Sequence, residues 1–101
     1  MENVHLIVGL GNPGAEYART RHNAGFLVAE RLAERWRAGW DYEKKFNARL
    51  ASTARGERRA LLCEPLTYMN SSGEAVGAVV GYYWVPLGQV LVVVDDADLP
   101  L

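Results

Sequence analysis

Polar residues able to do chemistry stand just where apolar runs end. The run from Val4 to Val8 breaks at Gly9, Gly11, Pro13 and Gly14 and is followed by a polar segment carrying Asn12, Arg21, His22 and Asn23. Imidazole titrates near neutrality, so His22 can take a proton from water at physiological pH. The valine-rich run Gln89–Val94 ends in Asp95-Asp96-Ala97-Asp98. A carboxylate such as Asp95, bound to the second ring nitrogen, would fix the tautomer and stabilise the imidazolium that forms. Asn70 lies between Pro65 and Glu74, another break after an apolar run. Its amide both donates and accepts, which suits holding a substrate carbonyl or orienting a water. Without such partners, Asp95 is an ordinary solvated turn residue, and Met69-Asn70 is a helix start with an apolar plug.

Other chemistries fit less well. Gly9-Leu-Gly11-Asn-Pro-Gly14 has the G-x-G-x-x-G spacing of a dinucleotide fingerprint, which needs a helix opening within the glycine loop. Here Pro13 and the polar stretch through Asn23 delay the helix, and the second strand runs out in Ser52 and Thr53 rather than an acid. A nucleotide-binding module is thus a secondary reading, open to titration with NAD or ATP. His5 falls inside the first strand and is read as an ordinary strand residue. Cys63 lies in mid-strand and no Gly-x-Ser-x-Gly elbow occurs, so no covalent nucleophile is expected. The chain has too few spaced His and Cys ligands to favour a metal site.

The elements that must position these residues follow from apolar periodicity. The β-branched run at the start reads as a buried strand. Asn23 is a plausible N-cap for a helix to about Arg37, with Val28, Ala29, Leu32, Ala33 and Trp36 on one face and Gly39 ending it. A loop with Trp40 and Tyr42 leads to a strand over about Phe46–Thr53. A turn at Arg55-Gly56-Glu57 then pairs it with a strand over Arg59–Glu64, and Pro65 stops the pairing. Ser71 and Glu74 have capping-box spacing for a helix to about Tyr83, with Val76, Val79, Val80 and Tyr83 on its apolar face. Gly73, Gly77 and Gly81 recur every four residues and are read as allowing close packing on the sheet. The strand Gln89–Val94 reads as parallel and covered on both faces. This order predicts an α/β/α sandwich around a mixed, mainly parallel twisted sheet. The first and last strands would be central, with the His22 loop and Asp95 facing one crevice.

With 101 residues, half of them apolar, the chain fits a single domain over residues 1–101. A formal charge of −1 and a pI near 6.1 give no whole-molecule basic signal, so any nucleic-acid contact must come from a local positive patch. One cysteine, no apolar run approaching a membrane span and no signal-like start point to a cytoplasmic protein without a membrane partner.

Taken together, the motifs resemble bacterial-type peptidyl-tRNA hydrolase. The matching residues are Gly9-Leu-Gly-Asn-Pro-Gly14, Tyr17, Thr20-Arg-His-Asn23 with Gly25, Pro65-Leu-Thr-Tyr-Met-Asn70 with Ser72-Gly73, and Asp95-Asp96-Ala-Asp-Leu-Pro100. They run through the whole chain in the family's order. The resemblance implies hydrolysis of the ester joining a peptide to the 3′-terminal ribose of tRNA, with peptidyl-tRNA as partner and no metal or organic cofactor. It makes the residue at His22 the base that activates water, that at Asp95 its orienting carboxylate, and that at Asn12 a positioning group. The residue at Asn70 contacts the peptidyl part and the developing oxyanion, and Tyr17, Asn23, Tyr68 and Met69 line the substrate site. Family members run to nearly twice this length, so the resemblance also implies a missing C-terminal part. With it go the lid helix, a later Gly-Gly-His-Asn-Gly motif, part of the tRNA-binding surface and further strands. Reduced activity, and self-association through an exposed sheet edge, are the expected consequences. A non-catalytic RNA-binding relative of the same fold is the alternative, against which the retained Asn12, His22, Asn70 and Asp95 argue.

Overall fold

The opening apolar run becomes an interior strand because its alternate side chains are needed on both faces of a sheet. The computed structural model describes residues 3–11, 24–67 and 72–94. In it β1 (Asn3–Gly9) lies between β4 (Arg58–Pro65) and β5 (Val90–Val93) and runs parallel to both. On the far side of β4, β3 (Ala48–Arg55) and β2 (Trp40–Glu43) add antiparallel neighbours, giving the order β2-β3-β4-β1-β5. The turn between β3 and β4 carries Gly56 at φ 64°, a left-handed conformation that glycine adopts without steric cost.

Two helices cover the sheet. Val4, Leu6 and Val8 of β1 point with Leu61 and Cys63 of β4 towards α2 (Ser72–Tyr83), where Val79 is fully buried and Val76, Val80 and Tyr83 pack in. Ile7 points the other way, into a smaller cluster with Leu62, Ala51 and Ala33 of α1 (Ala24–Trp36). The mixed α/β sandwich follows from this alternation. Complete burial of Leu6, Leu62 and Val79 contributes roughly 1.5–3 kcal/mol each.

Several expectations are corrected. β5 is the outermost strand of the described sheet rather than a central one, and Leu91 and Val92 stand 59% and 46% exposed on its two faces. Trp40–Glu43, expected as a loop, is a strand. The strand expected from Phe46 begins at Ala48, because Asn47 adopts a left-handed φ of 47°. Pro65 does not stop pairing: it sits opposite Ala48, and the Leu66 amide donates to the Asn47 carbonyl at 2.9 Å. Val28 and Trp36 of α1 are exposed, while Ala29 and Ala33 are buried as expected, together with Gly25 and Phe26. It ends before Gly39, with Arg37 at φ 55° and the Ala38 amide donating to the Ala33 carbonyl at 2.9 Å. Gly73, Gly77 and Gly81 face open space, so they are not a packing stripe.

The close glycine approach lies elsewhere. A Cβ on Gly25 would strike the backbone of Leu10 and Val93, and one on Gly9 would strike the Gly25 carbonyl and meet the Ala29 Cβ at 3.0 Å. The first turn of α1 thus rests directly on the ends of β1 and β5. Gly25→Ala should therefore destabilise the fold by about 1–3 kcal/mol through overpacking. Gly77→Ala, which meets nothing and improves helix propensity, should stabilise it by up to about 1 kcal/mol. Chemical denaturation of the two variants checks the opposite signs.

Candidate active site

Three parallel strands end together. Val8 is in register with Cys63 of β4 and with Val92 of β5, Gly9 lies opposite Val93, and the Leu10 amide donates to the Val93 carbonyl at 2.9 Å. The segment 12–23 leaves this edge after Gly11, and α1 begins on it with Gly25 against Leu10 and Val93. The segment 68–71 leaves the same edge past β4 and is followed by α2, whose first residue, Ser72, is buried. Residue 95 lies two positions beyond the end of β5 in the sequence. All three sequence motifs are therefore attached to one end of one sheet, the end at which open α/β folds place ligands.

The expected site residues themselves, Asn12, Tyr17, His22, Asn23, Tyr68, Met69, Asn70 and Asp95, lie outside the described residues. What the described residues contribute is the frame and a polar floor beneath it. Thr67, immediately before the second motif segment, has a buried hydroxyl without a hydrogen-bond partner among the described residues. Among those residues no group of three or more His, Cys, Asp or Glu is placed to hold a metal ion, and no helix is long and apolar enough to cross a membrane.

Sequence reasoning missed a charged cluster at this end of the sheet. Glu64, next to the last residue of β4, is 1% exposed. Its Oε1 accepts from Arg49 Nη1 of β3 at 3.1 Å, and the same guanidinium nitrogen lies 3.7 Å from Glu30 of α1. The Glu64 Oε2 is buried and has no hydrogen-bond partner among the described residues. Burial first, then the neighbouring Glu30, push the Glu64 carboxyl up to about 8, and the pull of Arg49 does not offset them. Near neutral pH this group is mostly an uncharged acid, joining α1 to the floor of the edge through Arg49. An acidic residue inside the apolar stretch Leu61-Leu-Cys-Glu-Pro65 was the available signal. Cys63, beside it in sequence, is fully buried, and burial with the Glu64 charge pushes its thiol up to about 12. It is not a nucleophile in this state.

Comparisons with known proteins identify the family and the fold. The family profile described as Peptidyl-tRNA hydrolase matches residues 6–101. The peptidyl-tRNA hydrolase of Gloeobacter violaceus is 49% identical over 98 residues, covering 97% of this chain and 50% of that protein. That of Synechococcus sp. strain JA-3-3Ab is 54% identical over 99 residues, covering 97% of this chain and 44% of that protein. The crystal structure of peptidyl-tRNA hydrolase from Acinetobacter baumannii superposes with a TM-score of 0.87 at 39% identity, covering 98% of this chain and 50% of that one. The chain spans about half the length of the relatives it matches.

The Glu64 shift has a measurable sign. Its folded-state pKa lies above the unfolded value of about 4.5, so the folded state holds the extra proton between pH 4.5 and about 8. This contribution to stability is complete below pH 4.5 and is lost as pH rises through about 8. Glu64→Gln keeps the oxygen facing Arg49 and removes the titration. Thermal melts across that range should show the original protein losing stability with pH, and the variant a flatter profile.

Proposed function

The chain belongs to the peptidyl-tRNA hydrolase family, and we propose on that premise that it hydrolyses the ester between peptide and tRNA in peptidyl-tRNA, releasing free tRNA. The observation that carries this reading is the attachment of all three motifs to one sheet end, in register at Val8, Cys63 and Val92. His22 takes a proton from water as the water oxygen attacks the ester carbonyl carbon. Asp95 holds the ring in the tautomer that can accept that proton and balances the charge of the imidazolium. The carbonyl π bond opens to an oxyanion, which the Asn70 amide stabilises by donating a hydrogen bond. On collapse the bond to the ribose oxygen breaks, and the imidazolium returns the proton to that oxygen. Asn12 positions the histidine and the substrate, while Tyr17, Asn23, Tyr68 and Met69 line the cleft around the ester. The reaction consumes one water and needs no redox partner. A cytoplasmic location belongs to the same proposal.

Cleavage of a labelled peptidyl-tRNA tests the reading, with the Acinetobacter baumannii enzyme as reference. The chain should release peptide and tRNA, more slowly than the reference, and His22→Ala should lower its rate by about 10²–10⁴-fold, the usual contribution of a positioned general base. Equal rates with and without the imidazole would remove His22 from the mechanism.

A further inference from the structure

The opposite end of the sheet holds a feature that the proposed reaction does not use. A cavity of about 870 Å³ opens where β1, β4 and β5 begin and α1 ends. Arg35 and Arg37 line it from the end of α1, and Arg55 and Arg58 from the β3–β4 hairpin. All four are exposed, and none forms an ion pair among the described residues. No acidic residue among those described lines the cavity, and its wall includes Trp36, 37% exposed, and Gln89, whose Oε1 is buried and unpartnered among the described residues. Arg59 also borders it, but its Nε donates to Ser52 Oγ at 3.0 Å.

A chain of formal charge −1 that gathers four exposed guanidinium groups around one cleft has segregated its positive charge. The carbonyl end of α1 disfavours anions there, and Arg35 and Arg37 more than offset its partial charge. Guanidinium forks match phosphate oxygens, and an exposed indole offers a face on which a base can stack. Open arginines coming from two separate elements suit successive phosphates along a strand better than one enclosed small anion. We propose that this cleft binds the phosphate backbone of RNA. Resting on the hydrolase reading, that RNA is the tRNA body of the substrate, held at the sheet end opposite the reaction. Seven residues of β1 separate the two ends, about 20 Å at the usual strand rise.

Binding of deacylated tRNA to this chain, measured by fluorescence anisotropy over a range of salt, tests the proposal apart from catalysis. Arg55→Gln with Arg58→Gln, and separately Arg35→Gln with Arg37→Gln, should each weaken binding about tenfold at low salt. In each pair the slope of log affinity against log salt should also become shallower, by about one for every phosphate that is no longer neutralised. Arg55→Lys with Arg58→Lys should retain most of the affinity, and circular dichroism should show all variants folded. Unchanged affinity in both glutamine pairs, no tRNA binding by the original chain, or displacement of bound tRNA by micromolar inorganic phosphate or AMP would overturn the proposal. Cleavage assayed in parallel separates the two readings. Arginine-dependent binding without cleavage by the original chain supports this site and counts against the hydrolase reading. Cleavage that survives with arginine-independent binding does the reverse.

Discussion

Everything at the candidate active edge depends on how closely α1 meets the strand ends. Leu10 extends β1 by pairing with Val93, and Gly25 seats the first turn of α1 against both. Neither Gly9 nor Gly25 has room for a Cβ. The contact holds the start of α1 against the ends of β1 and β5. The consequence is chemical as well as geometric. His22 stands three residues before Gly25 in the sequence and Asp95 two after Val93, so each is a short stretch of chain from one of two residues in contact.

The second constraint lies under that edge. A buried carboxyl normally costs stability unless it is paired or protonated. Glu64 is both: Arg49 meets one oxygen, while burial and Glu30 keep the group largely uncharged near neutral pH. The arrangement links α1, β3 and β4 through one guanidinium near the C-terminal end of β4. Cys63 shows the same burial without a partner and stays an inert thiol.

Much of this was legible in the sequence, and the failures have physical causes. β1, the β3–β4 hairpin and the buried face of α2 were readable because period-2 and helical apolar patterns report burial directly. Trp40-Asp-Tyr-Glu43 was missed as a strand because four residues at a sheet edge need little apolar alternation. The valines of β5 signal strand propensity but say nothing of neighbours, and so an outer strand was read as a central one. The Gly73, Gly77 and Gly81 spacing does mark one helix face, yet spacing cannot tell whether that face meets a sheet or solvent. Glu64 was missed, despite its place inside an apolar stretch, because a charged residue reads as exposed until its partners, distant in sequence, are known. The motif residues were legible as a set, since their types and order carry the family resemblance. The described structure supplies the common edge to which they attach.

The central claim is that His22 and Asp95 meet above this edge, and NMR titration of the His22 imidazole tests it most directly. A carboxylate in contact favours the imidazolium, so the His22 pKa should be higher in the original chain than in Asp95→Asn. A His22 titration unchanged by Asp95→Asn, in a variant whose remaining spectrum shows the fold intact, would contradict the account.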